Sequence, residues 1–206
     1  MTDPSAPQPS RRQPSGPPAE LPNPGYPYEE TDDLRRGPDL HPALLPLLPF
    51  IGRWRGTGRG GYPTIEDFDY AQEIRFSHDG RPVLFYESRA WIIDDEGRPV
   101  RPSAREAGWW RPQHPELAAA GTGQGADGIE VLLAHPTGIV EVYVGAVDGT
   151  KVELATDALA RTATAKEVAG NHRLYGIVEG ALMYAVDMAA MGQSLSPHLS
   201  ARLERV

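Results

Sequence analysis

Near the end of the chain the run Met191-Gly192-Gln193-Ser194-Leu195-Ser196-Pro197-His198-Leu199 places one imidazole, the usual nitrogen ligand for iron or zinc. Pro197 restricts the backbone just before it, which helps orient a ligand. Far upstream, Gly52-Arg53-Trp54-Arg55-Gly56-Thr57-Gly58, followed by Tyr62-Pro63-Thr64, reads as the opening strand of a closed β-barrel. A histidine at the mouth of such a barrel would suit a haem pocket. Taken alone, the position is ambiguous. Strand parity groups His198 with Ser200, Arg202 and Glu204 against Leu199, Ala201 and Leu203, and a solvent-facing histidine would read the same way.

Other reactive patterns are weaker. His78 lies in a His-Asp-Gly turn, where local hydrogen bonding is the ordinary use. His135 precedes Pro136 at a strand end. His41, His114 and His172 sit in polar or proline-rich contexts. No His-x-x-x-His or His-Glu pairing offers a zinc site, and Ser194, Ser196 and Ser200 lack the glycine-flanked elbow of a hydrolase nucleophile. Cysteine is absent, which removes disulfides, thiolate nucleophiles, iron–sulfur clusters and thiolate-ligated haem.

The elements that must hold His198 read as strands. Phe68, Tyr70, Gln72, Ile74 and Phe76 alternate with Asp69, Ala71, Glu73 and Arg75. Val83 to Ile93 is rich in β-formers. A strand starts at Gly108-Trp109-Trp110-Arg111, and Gly121 to Gly128 reads as a flexible loop. Further strands are expected at 129–135, 138–147, 151–156, 163–168, 173–178, 181–188 and 198–206. Turn residues separate them, Glu179-Gly180 among them. About ten short antiparallel strands at 8–12-residue spacing predict an all-β barrel. In the opening run, Gly52, Gly56 and Gly58 would let a bent strand pass close to its neighbours, and Trp54 would plug the closed end. No helix follows, so the glycines are not a dinucleotide fingerprint. Asp39 could cap a short helix with Pro42 in its first turn, and Pro46 and Pro49 forbid a long one.

Ten of the 21 prolines fall before residue 39, in a segment with almost no aliphatic residues. Residues 1–38 therefore read as a disordered tail and residues 39–206 as one barrel domain. Net charge is -8, with no basic block interleaved with aromatics, so a nucleic-acid partner is not expected. No run approaches the ~18 apolar residues of a membrane span, and the N-terminus lacks a signal-peptide core. A soluble cytoplasmic protein is the expectation, and the sequence leaves its oligomeric state, a homodimer included, open.

Gly52-x-Trp54-x-Gly56-x-Gly58, Gly61-Tyr62-Pro63-Thr64-Ile65, Phe76-Ser77-His78, Ala165-Lys166-Glu167 and Pro197-His198-Leu199 occur in the order and spacing of the nitrobindin family. Over residues 40–206 the chain resembles those ferric haem proteins, whose barrel of about ten strands is related to fatty-acid-binding and lipocalin folds. The resemblance implies a ferric haem b, one per subunit, held through iron by His198. It implies nitric-oxide binding and isomerisation of peroxynitrite to nitrate. Lys166 matches a position near the haem, where an ammonium could pair with a propionate. Thr64 matches a threonine bordering the haem. One departure stands out. Some relatives carry a distal histidine where this chain has Pro102-Ser103-Ala104-Arg105, so no distal imidazole comes from that stretch; Arg105, if it pointed inward, could offer a donor to a bound anion. The alternative is a non-enzymatic lipocalin-like carrier or a nitric-oxide sensor.

Overall fold

The computed structural model describes residues 25–116 and 128–206. A 3-10 segment, Pro42–Phe50, precedes ten strands: β1 Gly52–Tyr62, β2 Ile65–Ser77, β3 Leu84–Ile93, β4 Pro99–Pro112, β5 Gly128–His135, β6 Ile139–Asp148, β7 Lys151–Arg161, β8 Val168–Val178, β9 Ala181–Ala190 and β10 Ser196–Arg205. Each pairs antiparallel with its sequence neighbour, and β1 pairs with β10 to close the barrel. The expected all-β barrel is thus the observed fold. The period-two reading of β2 also holds, since Tyr70, Gln72, Ile74 and Phe76 are all buried.

Closure explains the glycine-rich opening. A Cβ on Gly56 would collide with the backbone carbonyl of Arg202, and one on Gly58 with that of Ser200, both on β10. The two strands approach as closely as they do because side chains are missing there. At the same end, Trp54 is fully buried and its indole N–H donates to the Phe50 carbonyl at 2.7 Å. The Arg205 guanidinium lies 4.1 Å from the centre of its ring. Phe50, Phe76, Tyr86, Trp110 and Tyr175 continue this floor as ring pairs 5.0–6.2 Å apart. Ala43, Leu44, Leu47 and Phe50 of the 3-10 segment cover it from below.

Some boundaries differ from the sequence reading. The helix cap is His41, whose Nδ1 accepts from the Ala43 N–H at 3.2 Å, and not Asp39. Pro46 and Pro49 lack the N–H groups an α-helix needs, so the segment stays 3-10. Strand β4 begins at Pro99, nine residues before Gly108. Its register against β3 shifts twice, which accommodates prolines in a ladder. Residues 163–168, read as a strand, are mainly a turn held by the Ala165 N–H on the Thr162 carbonyl, and β7 instead runs on to Arg161. The Gly121–Gly128 loop falls, except for Gly128, outside the described residues, as do residues 1–24 of the tail.

Residues 30–38 pack on the barrel, upstream of the start at Asp39 expected from composition. Thr31 and His78 exchange both backbone hydrogen bonds at 2.8 and 2.9 Å. Asp32 accepts from Arg53 Nε at 2.6 Å and Arg75 Nε at 2.7 Å, and Glu30 accepts from Arg75 and Ser77. Arg53 and Arg75 face each other directly across β1 and β2, a repulsive pair that these acids neutralise. Under this strap His78 has no exposed surface, and neither ring nitrogen has a partner.

Replacing Trp54 with alanine should cost about 3–5 kcal/mol in denaturant unfolding, as other large core truncations do. A chain beginning at Asp39 should lose about 1–3 kcal/mol relative to one beginning at Gly25, since two backbone hydrogen bonds and the acid–arginine pairs go with the strap. Burial pushes His78 below the ordinary imidazole value of 6.5, against the pull of Asp79. The unfolded chain therefore takes the proton first. The stability that goes with keeping His78 neutral and buried should be complete above about pH 6.5 and should be lost as pH falls from there through the lowered value, read as Tm against pH.

Candidate functional site

The turns 63–64, 94–98, 136–138, 162–167 and 191–195 all lie at the end of the barrel opposite the Trp54 floor. This is the mouth, and His198 is the third residue of β10 there. Register between β10 and β9 shifts between Pro197 and Leu199, so His198 stands at an irregularity where strict alternation is suspended. The shift resolves the parity ambiguity. Ser200, Arg202 and Glu204 are exposed, Ala201 and Leu203 are buried, and His198 is partly buried and follows neither set.

Its Nδ1 lies 2.9 Å from the Gly61 carbonyl oxygen. A carbonyl only accepts, so Nδ1 carries the proton and Nε2 keeps its lone pair. Nε2 makes no hydrogen bond among the described residues. The ring lies edge-on to Tyr62, with centroids 5.6 Å apart. Burial pushes the imidazole below 6.5, the Gly61 hydrogen bond pulls the other way, and the Arg173 charge adds to the lowering. A neutral imidazole with one free lone pair is the form that binds a metal. Beside it, on the rim and outer face of the barrel, lies a depression of about 670 Å³ lined by Gly61, Tyr62, Pro63 and Pro197 together with the exposed Arg59, Ala185 and Ser200. No group of three or more His, Asp or Glu side chains able to hold an ion occurs among the described residues. The donor set therefore fits a metal that brings its remaining ligands with it, as iron in a macrocycle does.

Lys166 and Thr64 lie at the same end, both exposed, in the β7–β8 loop and the β1–β2 turn. Neither lines the depression beside His198. Arg105 is exposed, and its nearest acid is Glu87 at 3.6 Å. It offers nothing to the interior, contrary to the inward orientation entertained from the sequence.

The barrel interior carries a polar network that the sequence reading missed. Arg173 is 5% exposed and donates to both oxygens of Glu106 at 2.8 and 3.0 Å. It also donates to the Tyr143 hydroxyl at 2.9 Å. Glu141 accepts from Asn171 at 2.5 Å and pairs with His135 at 3.0 Å. Burial alone would raise Glu106, but Arg173 outweighs it, with help from His135 and Tyr86, and holds the carboxyl at about 2. On the other wall the Tyr70 and Tyr184 hydroxyls meet at 2.6 Å, and Tyr184 donates to Gln72, which donates to Ser88. The signal was present: Glu141 falls on the inward parity of Ile139 and Tyr143, and Arg173 on that of Tyr175. A polar residue on an apolar face is the informative kind.

Comparison with known proteins places this arrangement. Residues 43–205 match the family described as THAP4-like, heme-binding beta-barrel domain. A protein of Salinispora arenicola named peroxynitrite isomerase is 62% identical over 181 residues, covering 88% of this chain and 89% of the relative. A Saccharopolyspora erythraea protein named ferric nitrobindin-like protein is 46% identical over 180 residues, covering 86% and 80%. The crystal structure of Rv2717c from M. tuberculosis superposes with a TM-score of 0.69 at 38% identity, covering 82% of this chain and 99% of that one.

Replacing Arg173 with methionine strands the Glu106 carboxylate, which keeps only the Tyr86 hydroxyl as a donor. The expected cost is about 3–5 kcal/mol in urea unfolding at neutral pH. Because Glu106 is held low by Arg173, its contribution is complete above the unfolded carboxylate range and lost as pH falls toward 2, so the deficit of the variant should narrow in acid.

Proposed function

The chain belongs to the THAP4-like haem-binding β-barrel family, and from that premise we propose that it holds a haem b on His198 and isomerises peroxynitrite to nitrate. The observation that carries this reading is the Nδ1–H bond to the Gly61 carbonyl, which fixes the tautomer and leaves Nε2 free at the barrel mouth. A bound haem would supply a redox-active Lewis acid, able to open the O–O bond of peroxynitrite and let the fragments recombine as nitrate.

The residues of the chain do the rest. His198 is the one protein ligand, and Pro197 restricts the backbone that carries it. A neutral carbonyl partner makes the imidazole a weaker donor than a carboxylate partner would. Lys166, in solvent at the mouth, suits the carboxylates of propionates that stay in water, and Thr64 borders the same rim. On the far side, the Pro102–Arg105 stretch brings no imidazole, and Arg105 lies in solvent. The interior donors Arg173, Asn171 and His135 are already engaged by Glu106 and Glu141, which leaves few for oxygen on ferrous iron and favours a ferric resting state. The reading includes one haem per chain, nitric oxide as a second small ligand, residues 39–206 as the haem-binding unit, a cytoplasmic setting and a homodimer. Among the described residues no helix is long and apolar enough to cross a membrane.

The carrier reading fares worse on a specific observation. A carboxylate cargo needs a buried cation, and Arg173 is already taken by Glu106. Trp54, Trp110, Tyr70, Tyr86, Tyr143 and Tyr175 fill space that an apolar cargo would need.

Haem titrated into the wild type should give a Soret band and accelerate peroxynitrite decay. His198→Ala should lose both together, while His78→Ala and His135→Ala keep the band. A wild-type spectrum and rate in His198→Ala would refute the assignment.

A further inference from the structure

Strand order around the barrel is β1, β10, β9, so a side chain that starts on β1 and ends on β9 must cross β10. Tyr62 does so. Its ring leaves the end of β1, and its hydroxyl accepts the Ala190 N–H of β9 at 2.8 Å. The same oxygen lies 3.1 Å from the Ala190 carbonyl and 3.2 Å from that of Met188, so it donates there. The residue is 7% exposed. His198 meets the ring of this bar edge-on, at an interplanar angle of 78°.

Two irregularities meet at this point. The β1–β2 register shifts between Gly60 and Tyr62, and the β10–β9 register between Pro197 and Leu199. His198 is the extra residue of the β10 shift, Gly61 lies at the first shift opposite the extra residue of β2, and the two are joined through Nδ1. The β1–β10 ladder ends one step earlier, at Gly60 and Leu199. A bulged residue is left out of the ladder, so ladder hydrogen bonds do not hold His198 in place. What borders the imidazole is the ring of Tyr62.

We propose that Tyr62 is the positioning residue for His198. Its hydroxyl ties β1 to β9 across the β10 bulge, and its ring sets the plane of the imidazole so that Nδ1 meets Gly61 and Nε2 stays open. The proposal rests on the haem reading only for what the imidazole is aimed at. The geometry concerns this chain alone.

The test compares wild type, Tyr62→Phe and Tyr70→Phe. Tyr70 is the control because it also loses a buried hydroxyl that donates to β10, at the Ser200 carbonyl at 3.1 Å, at a site where His198 is not the neighbouring ring. Long-range proton–nitrogen NMR of the haem-free proteins at pH 7.5 reads the His198 tautomer. Wild type and Tyr70→Phe should show the proton on Nδ1, and Tyr62→Phe should show a mixture of both tautomers. Hemin titration should then find Tyr62→Phe weaker by about five- to tenfold, the worth of one buried hydrogen bond, and Tyr70→Phe within about twofold of wild type. An unchanged tautomer in Tyr62→Phe overturns the proposal, as does equal scrambling in Tyr70→Phe. If hemin binds the wild type and His198→Ala alike, the haem reading fails, and the tautomer comparison by itself still decides the role of Tyr62.

Discussion

The pairing of β1 with β10 is the constraint on which everything else depends. It joins residues about 140 to 150 positions apart in the chain, from Trp54 opposite Arg205 at one end to Gly60 opposite Leu199 at the other. Long-range closure costs chain entropy before any contact rewards it. Here the reward is concentrated at the two ends of the ladder. At the floor, Arg205 lies over Trp54 and donates to the carbonyls of Pro49 and Ile51. At the mouth, Gly61 meets His198. The same strand pair that completes the barrel also assembles the candidate site, so the site cannot form before the fold does.

The interior is divided by height. The lower part is an aromatic floor with one unpartnered indole nitrogen, that of Trp110. Above it lies a belt of hydroxyls, amides and charges, with Arg173 and Glu106 at its centre. Buried ion pairs seldom add stability over apolar packing, but removing one partner is costly. Such a belt holds the strands in one register, because a slip of one residue would turn Glu141 and Arg173 to the outside and Val140 and Leu174 inward. Arg173 also bears on the mouth electrostatically, since its charge helps keep His198 neutral.

Much of the fold was legible along the chain. The alternation of Phe68 to Phe76 identified β2 and its inner face, and the glycine-x-tryptophan run identified β1. The departures have physical reasons. Pro99 and Pro102 masked the first half of β4, because proline is normally excluded from ladders and only register shifts admit it here. Residues 30–38 looked unable to fold because Leu34 is their one aliphatic residue, yet they bind through backbone bonds and acids that face an Arg53–Arg75 pair. Composition scores burial, and this strap is held by charge.

The sequence by itself determined the fold class, the absence of thiol chemistry and the candidacy of His198, because periodicity, composition and an ordered set of short motifs are properties of the chain as a line. Only the tertiary structure decided which way His198 faces and which nitrogen it keeps free. Parity along β10 predicts a face only where the ladder is regular, and at His198 it is not. The partner that fixes the tautomer, Gly61, and the ring that borders it, Tyr62, come from the far end of the chain. They reach His198 through closure, which no local pattern encodes.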